Sequence, residues 1–265
     1  WSSDVCSSDL GNIGVCTATS GPGATNLITG IGSAFFDSIP CLYITGQVNT
    51  YEYKRSKDIR QEGFQETDIV SIIEPITKYA VMITDSKKIK FYLEKAIYLA
   101  KEGRSGPVLL DLPMDMQRAE INPEELISFY ESDEYGLIIN DKVDLRDVNE
   151  LIELIKNSKR PMILAGGGIR LANASENIEK LIEITGIPVA CTLMGIDCIN
   201  HNHACYVGYM GSYGNRYSNL AVANCDLLIV LGSRLTSRQT SSITDSFARE
   251  AKIEIGRASC RERVF

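Results

Sequence analysis

The sequence has little positive charge and little histidine for its length. Its 265 residues include 27 Lys and Arg against 34 Asp and Glu, a net charge of −7, and only two histidines. A surface that binds nucleic acid or anionic lipid shows clustered basic residues. The nearest approach here, the segment Lys54–Arg60, carries Glu52 and Asp58 beside its cations, and we interpret it as a solvated loop. The composition argues against nucleic-acid and membrane partners.

The chain also lacks a run of about 18 apolar residues that could cross a bilayer. It has eight cysteines but no spacing typical of a disulfide framework, which is a device of smaller secreted domains. Cys16, Cys41 and Cys191 lie within apolar strand-like runs, where cysteine acts as a small hydrophobic residue. These absences predict a cytoplasmic protein.

One short segment brings together four residues that can bind metal, namely Cys198, His201, His203 and Cys205. Tetrahedral zinc sites usually draw two ligand pairs from separated anchors, and four ligands in one short loop seldom close that geometry. A metal site and an ordinary loop both remain open here. We favour the ordinary loop and predict no metal ligands in the chain.

What is present is an alternation of apolar strands and amphipathic helices. The content of 44% apolar and 23% charged residues is that of a globular protein, and the length suits one large or two ordinary domains. Alternating strands and helices predict parallel sheets covered on both faces. We therefore expect an α/β protein with two doubly wound parallel-sheet domains, the second of them Rossmann-like.

The first predicted domain, residues 11–113, opens with a strand, a glycine turn and a helix. The strand Val15–Thr19 leads into Ser20-Gly21-Pro22-Gly23, whose glycines allow close backbone approach to a ligand. The other predicted elements of this domain are the helices Gly23–Asp37, Glu66–Ile73 and Lys87–Lys101 and the strands Leu42–Thr45, Tyr79–Ile83 and Val108–Leu112. This turn is the first candidate ligand-binding position.

The second predicted domain, residues 144–254, follows a stretch without periodicity. Residues 114–143 are interpreted as a linker crossing the surface. Asp144 is the expected cap of a helix that runs to Lys156. The other predicted elements are the strands Met162–Ala165, Val189–Thr192 and Asp226–Leu231 and the helix Ala174–Ile184. Gly166-Gly167-Gly168 follows a strand, where a Rossmann-like sheet admits a dinucleotide, although the full G-x-G-x-x-G is missing and a tight turn without ligand is the alternative.

The ordered blocks SGPGATN, DSIP, ITGQ, GFQET, ITK, GRSGP and DLP resemble the acetohydroxyacid (acetolactate) synthase family of thiamine-diphosphate enzymes. The similarity covers roughly residues 11–254. It implies that the first domain is part of the pyrimidine-binding domain and that the parent protein is a carboligase. Such an enzyme decarboxylates pyruvate or another 2-keto acid and transfers the carbanion to a second keto acid, in branched-chain amino-acid biosynthesis.

The resemblance assigns roles in the first domain residue by residue. Pro22, Gly23 and Asn26 match the loop beside the cofactor, while Phe64 and Gln65 match residues that line the reacting centre. Lys78 would offer a cation to a keto-acid carboxylate or orient neighbouring groups, with a solvent-exposed lysine after a helix as the alternative. The glutamate that activates the cofactor is expected just upstream of Gly11, and the Mg²⁺ motif belongs to a third domain. The chain alone is therefore expected to be inactive.

In the second domain the resemblance implies a site for FAD of largely structural role. The matching residues are Gly166, Gly167, Thr192, Leu193, Met194, Gly195, Gly211, Tyr213, Gly214, Gly232, Arg234 and Arg238, together with Arg104 of the first domain. Two positions depart from the family pattern. Tyr213 stands where the family has histidine, and Thr236 stands where it has aspartate.

Both ends of the chain resemble translated sequencing-adapter oligonucleotides. Residues 1–10 and 255–265 are expected to be such tails, and their exclusion leaves about 244 residues for the fold argument.

The resemblance further implies 2-keto acid substrates, a homodimer or homotetramer and a small regulatory subunit. Two alternatives stay open. One is a related thiamine-diphosphate decarboxylase or acyl transferase with a different substrate, which the long loop Asn49–Glu62 favours. The other is a flavin- or nucleotide-binding homologue without catalysis.

Overall fold

A computed structural model describes residues 12–53, 59–138 and 145–256 of the chain. The chain divides into two compact units, one ending at Asp141 and the other beginning at Lys142. Both expected adapter tails (apart from residues 255 and 256), the cations at 54–57 and the expected cap Asp144 lie outside the described residues.

Unit 1 contains four strands and six helices within its described residues. The strands are β1 Gly14–Ala18, β2 Cys41–Gln47, β3 Tyr79–Met82 and β4 Val108–Pro113. The helices are α1 Pro22–Thr25, α2 Ile28–Asp37, α3 Ile69–Ile73, α4 Ile89–Lys101, α5 Met114–Arg118 and α6 Asp133–Ile138.

The sheet of unit 1 is parallel throughout, with the order β1-β2-β4-β3. Alternate residues of a strand point to opposite faces, so β4 contributes to two cores. Leu109 packs with Ile31 of α2 and Ile73 of α3, whereas Leu110 packs with Ala96 of α4 on the other face. Helices cover both faces, which confirms the α/β prediction for this unit.

Two helices of unit 1 differ from the prediction. The single helix expected over 23–37 is broken, because Leu27 N donates to Ala24 O three residues back and tightens the turn before α2. The helix expected from Glu66 begins at Ile69 instead. Asp68 caps it there by accepting a hydrogen bond from Ser71 N at 3.2 Å.

The segment expected to be a surface linker packs against unit 1. Residues 114–138 form α5, α6 and two 3-10 turns between them. Phe129 is fully buried there, and its ring lies 5.5 Å from Phe91 and 5.7 Å from Tyr98, both on α4. Aromatic packing, which has no helical period, holds this segment and explains why periodicity did not reveal it.

Unit 2 contains five strands and five helices within its described residues. The strands are β5 Pro161–Ala165, β6 Val189–Cys191, β7 Tyr206–Tyr209, β8 Leu227–Leu231 and β9 Lys252–Gly256. The helices are α7 Leu145–Asn157, α8 Gly168–Leu171, α9 Ser175–Thr185, α10 Arg216–Asn224 and α11 Ser237–Thr240.

The sheet of unit 2 is also parallel, with the order β7-β6-β5-β8-β9. Counted within the unit this is 3-2-1-4-5, the Rossmann order up to its fifth strand. The chain reverses direction across the sheet between β5 and β8, which is the switch point where ligands bind in such sheets. Ile255 and Gly256, the first residues of the expected carboxyl-terminal tail, pair with Val230 and Leu231 in β9.

Candidate cofactor-binding edges

The glycine turn of unit 1 lies at the carboxyl end of β1. Gly21 has φ 62° and ψ −127°, a conformation that L side chains rarely adopt, and Pro22 opens α1 directly after it. A Cβ on Gly21 would lie 2.8 Å from both the Cβ and the carbonyl oxygen of Gln65. The turn and Gln65, two separate predictions, therefore meet at one edge of the sheet.

Gln65 adopts a left-handed conformation with φ 60°. Glu66 closes the turn around it, because Glu66 Oε2 accepts the amides of Glu62 at 2.8 Å and Gly63 at 3.1 Å. Phe64 presents its ring to solvent with 82% of its surface exposed. A strained, exposed residue held by a buried carboxylate is a pattern found at functional sites.

The remaining turn residues predicted to line the cofactor lie around α1. Pro22 and Asn26 are exposed, Gly23 is half-buried, and Asn26 ends the helix. A Cβ on Gly23 would lie 2.6 Å from the Thr19 side chain, so the glycine is needed there for packing as well. All three lie beside the Gly21–Gln65 contact in sequence or in space.

A buried polar network that the sequence analysis did not assign lies behind this edge. Asp111 of β4 is 1% exposed, and its carboxylate accepts Thr45 Oγ1 at 2.6 Å and Gln47 Nε2 at 2.9 Å. Gln47 Nε2 also donates to Thr67 O at 2.7 Å, and Gln47 Oε1 accepts Val48 N at 3.1 Å. Burial raises the pKa of Asp111 to about 6, although both of its hydrogen bonds lower it. We call Thr45, Gln47 and Asp111 the β2–β4 network.

A charged residue within the apolar run VLLDLP was the available signal for this network. Carboxylates are rarely fully buried without a partner, so Asp111 implied polar neighbours. Glu66 gives a second such signal: it is 8% exposed, and its Oε1 has no hydrogen-bond partner among the described residues.

The segment before residue 54 is anchored beside the same edge. Thr50 donates through its amide at 3.1 Å and its hydroxyl at 2.5 Å to the carboxylate of Asp115, which begins α5. Burial raises the pKa of Tyr53 to about 12, and the neighbouring charges of Asp68, Asp111 and Glu66 act in the same direction. The three carboxylates and the neutral phenol thus share one electrostatic environment.

Lys78 and Arg104 lie at the opposite edge of the sheet. Lys78 directly precedes β3, and its amide donates to Pro107 O at 2.9 Å, just before β4. Its ammonium donates to the carbonyl of Glu102, which ends α4. Arg104 Nε donates to Ser38 Oγ at 2.9 Å. Within unit 1, the structure does not bring either residue to Gln65.

In unit 2, glycines bring the loops at the carboxyl edge into backbone contact. A Cβ on Gly166 would lie 2.3 Å from Gly232 O, one on Gly167 2.7 Å from Met194 O, and one on Gly195 2.6 Å from Ala165 O. The loops after β5, β6 and β8 thus touch through main-chain atoms. Gly166, Gly167, Gly195 and Gly232, four residues matched to flavin contacts, come together at this edge.

Thr192, Leu193 and Met194 connect these glycines. Thr192 is 1% exposed, and its amide donates to Ala165 O at 2.8 Å, whereas Leu193 and Met194 are exposed. Arg234, after β8, is exposed on its side of the switch point. The loop offers apolar side chains and a cation beside backbone groups.

A cavity of about 570 Å³ opens beside the loop after β7. Asn219 clamps Gly211 from one wall, donating to Gly211 O at 3.1 Å and accepting Gly211 N at 3.0 Å. Arg238 Nη1 donates to Tyr213 OH at 2.7 Å, and Gly214 N donates to Gly211 O at 2.9 Å. Gly211, Tyr213, Gly214 and Arg238 are therefore brought together, and Asn219 is an additional residue that the sequence analysis missed.

The two departures from the family pattern have local roles. Tyr213 is the partner of Arg238, whose guanidinium also lies 5.6 Å from its ring centroid. Thr236 caps α11 in a capping box with Gln239.

The cysteine and histidine residues of the loop after β6 have other partners than a metal. His201 stacks on Tyr206 at 4.6 Å, His203 Nδ1 accepts Cys205 N at 3.1 Å, and Cys198 is buried with its Sγ 3.6 Å from Gly166 O. Among the described residues, no group of three or more His, Cys, Asp or Glu is arranged to hold a metal ion.

No helix in the described ranges is long and apolar enough to cross a membrane.

Two family models match the chain, one in each unit. The N-terminal TPP binding domain of thiamine pyrophosphate enzymes matches residues 3–72, and the central domain of the same enzymes matches residues 148–261. The first match contains the Gly21–Gln65 edge, and the second contains the glycine contacts at the switch point.

Similar curated proteins are acetolactate synthase large subunits. The chain is 41% identical over 243 residues to a probable acetolactate synthase large subunit of Methanocaldococcus jannaschii, covering 92% of this chain and 40% of the relative. It is 38% identical over 244 residues to the acetolactate synthase large subunit of Cyanidium caldarium, covering 91% of this chain and 40% of the relative. It is 40% identical over 254 residues to the acetolactate synthase large subunit of Corynebacterium glutamicum, covering 92% of this chain and 37% of the relative. The chain thus spans about 40% of the length of these relatives. With both domain models matched in order on two parallel α/β units, the chain belongs to the thiamine pyrophosphate enzymes.

Proposed function

We propose that this chain is part of a thiamine-diphosphate-dependent acetolactate synthase, which condenses pyruvate with a second 2-keto acid. The observation that carries the proposal is the contact between Gly21 and Gln65 within a matched TPP binding domain. The identity of about 40% to acetolactate synthase large subunits supports this substrate class.

Thiamine diphosphate supplies the electron sink that stabilises the carbanion left by decarboxylation. The residues of unit 1 bind and orient around that group. Pro22, Gly23 and Asn26 form the wall beside the cofactor, and the absent side chain at Gly21 lets the Gln65 backbone approach. The Gln65 amide can donate a hydrogen bond to a carbonyl oxygen and accept a hydrogen bond from a hydroxyl at the same time. Phe64, 82% exposed, would exclude water from the reacting centre once another subunit covers it.

We propose a structural role for Lys78 and not a catalytic one. Its ammonium donates to Glu102 O at the carboxyl end of α4, where a cation stabilises the helix. Its position at the amino edge of the sheet, away from Gln65, agrees with this role.

We further propose that unit 2 binds FAD, with a structural role. The residues fit, since Gly166, Gly195 and Gly232 let the loops at the switch point approach one another through their main chains, and Arg234 and Arg238 offer positive charge to a diphosphate. The hydroxyl-rich lining of the 570 Å³ cavity suits a polyol chain. We also propose that the whole enzyme uses Mg²⁺, assembles into a homodimer or homotetramer, binds a small regulatory subunit and lies in the cytoplasm.

The full-length protein that contains this chain, assayed with pyruvate, tests the synthase. Acetolactate formation that requires added thiamine diphosphate is the expected result. Turnover of another 2-keto acid without acetolactate would instead indicate the decarboxylase or acyl-transferase alternative. The absorbance of the purified protein near 450 nm tests the flavin separately, and a colourless, active enzyme would overturn that part alone.

A further inference from the structure

The left-handed turn at Gln65 needs an explanation from outside the turn. A non-glycine residue at φ 60° is strained by roughly 1 kcal/mol or more, and such strain persists only where the surroundings hold it. Two flanks hold this turn. Glu66 accepts the amides of Glu62 and Gly63 on one side, and Gln47 donates to Thr67 O on the other.

The second flank depends on how the Gln47 amide is oriented. Its nitrogen uses both hydrogens, one to Thr67 O and one to Asp111 Oδ2, while its oxygen accepts Val48 N. An ionised carboxylate can only accept, so Asp111 dictates that the nitrogen of Gln47 points inward. The orientation that serves Thr67 is therefore set by the charge state of Asp111.

We propose that Asp111, acting through Gln47, is a positioning residue for Gln65, and that adding a proton to Asp111 loosens the turn Gly63–Thr67. This inference rests on the proposed role of Gln65 in the synthase reaction. Asp111 itself touches neither substrate nor cofactor in this proposal.

Protonation at either oxygen of Asp111 weakens the same link. On Oδ2 the new O–H would face the Gln47 NH₂ group, donor against donor, and the amide must rotate away from Thr67. A proton on Oδ1 would face the buried Thr45 hydroxyl, whose oxygen lies 2.6 Å away. The Thr45 oxygen would then have to accept a hydrogen bond from Asp111, and the hydroxyl hydrogen of Thr45 would lose its acceptor. In both cases the charge-assisted bond from Gln47 is lost, and such bonds are roughly twice as strong as neutral ones.

The surroundings of Asp111 give its carboxyl a pKa within the pH range of ordinary experiments. Thr45 and Gln47 of β2 lower the pKa of the carboxyl by hydrogen bonding, Asp68 before α3 raises it, and burial dominates to bring it to about 6. Tyr53 and Glu66 face the same region, and Tyr53, with a pKa of about 12, stays neutral.

Hydrogen exchange of the 265-residue chain, followed by mass spectrometry, tests the inference without any turnover. At about pH 7, Asp111→Asn should speed exchange in the peptide 59–67 about tenfold, as expected for the loss of one hydrogen bond, with little change in β1 and β2. In the native chain, protection of that peptide should fall between about pH 7 and pH 5, after correction for intrinsic rates, and Asp111→Asn should abolish this dependence. The control Asp226→Asn alters an aspartate of unit 2 that also accepts a serine hydroxyl and backbone amides, and it should leave peptide 59–67 unchanged.

A second variant keeps the test valid if Asp111→Asn does not fold. Gln47→Leu removes the link from the network to Thr67, together with the bonds that Gln47 makes to Asp111 and Val48 N, and should reproduce the faster, pH-independent exchange. Unchanged exchange at 59–67 in the variants, or equal acceleration over all of β1–β4, would overturn the inference, since the latter marks a merely structural role. Absence of acetolactate from the full-length enzyme would refute the proposed function and leave this result standing.

Discussion

Unit 1 holds its carboxyl edge together with polar side chains, whereas unit 2 uses the main chain of glycines. In unit 1, Thr45, Gln47 and Asp111 connect two strands to the turn that carries Gln65. In unit 2, Gly166 and Gly232 come so close that no Cβ fits between their loops. Two parallel α/β sheets thus fix the loops at their carboxyl edges by different chemistry.

The difference determines what each edge can respond to. Side-chain hydrogen bonds to a buried carboxylate change with protonation, so the edge of unit 1 is sensitive to pH. Main-chain contacts between glycines carry no titratable group, and they tolerate no added atom. We expect unit 1 to be tuned by solution conditions and unit 2 to be limited by packing.

The largest expected effect comes from filling the glycine contact in unit 2. Gly166→Ala would put a Cβ 2.3 Å from Gly232 O, far inside van der Waals contact, and should destabilise unit 2 by about 4 kcal/mol. Urea unfolding followed by circular dichroism measures the loss, and limited proteolysis identifies the unit that unfolds.

Gly136→Ala is the matched control, because no atom of the described residues lies within 4 Å of a Cβ at that helical position. It should stabilise unit 1 by up to about 1 kcal/mol. If Gly166→Ala costs less than about 1 kcal/mol, the loops of unit 2 separate easily and the contrast between the two edges disappears.

The second effect is the pH dependence of stability that Asp111 produces. Its pKa of about 6 in the folded chain exceeds the ordinary value of 3.8, so the folded state binds the proton more tightly. The contribution to stability is complete below about pH 4 and is lost as the pH rises through about 6, a change of ~3 kcal/mol. The unfolding free energy of the native chain minus that of Asp111→Asn should therefore fall between about pH 4 and pH 7.

In unit 2, Asp226 gives stability a pH dependence of the opposite sign. Hydrogen bonding from Ser158 lowers its pKa to about 2, so its contribution is present above the unfolded value and is lost as the pH falls through about 2. A difference curve for Asp111→Asn that is flat, or that rises with pH, would contradict the raised pKa of Asp111.

A smaller effect is expected at Thr45, which donates to Asp111 at 2.6 Å. Thr45→Val removes one hydrogen bond from a buried carboxylate and should cost about 1 kcal/mol at neutral pH. Because that bond lowers the pKa of Asp111, its removal should shift the pH midpoint upward. Thr17→Val on the neighbouring strand, where the side chain is exposed, should change neither quantity.

The smallest effect separates strain from function at Gln65. Gln65→Gly relieves the left-handed conformation and should stabilise the chain by roughly 0.5 kcal/mol, since glycine's gain in unfolded-state entropy offsets part of the relief. The full-length enzyme should nevertheless lose acetolactate formation, because the amide is gone. Asn173→Gly, at φ 51° in unit 2, should give a similar small gain and retain activity. Full activity of Gln65→Gly would remove Gln65 from the site.

The sequence predicted those features that depend on local pattern. Strands in the middle of each sheet, such as β4 and β8, are continuous apolar runs and were placed within a residue or two of their ends. The glycine turn before Pro22 was recognisable because glycine and proline have specific backbone preferences.

Features that depend on distant partners were not predicted. The strands β7 and β9 are short edge strands whose stability comes from pairing, and Gly208 and Lys252 within them weaken the strand signal. Phe129 gave no periodic signal, because its partners Phe91 and Tyr98 on α4 are 38 and 31 residues away in the sequence. The contact between Gly21 and Gln65 joins two loops that only the folded sheet brings together.

The strand β9 has a practical consequence for handling the chain. It pairs along the full length of β8, whose residues Leu227–Leu231 are all aliphatic, and Lys252 on it forms ion pairs with Glu150 and Glu254. A charged edge strand of this kind protects a hydrophobic strand from pairing with other molecules. Proteolytic trimming that removes residues 252–256 would bare the β8 backbone, and self-association through that surface would follow before any loss of the remaining fold.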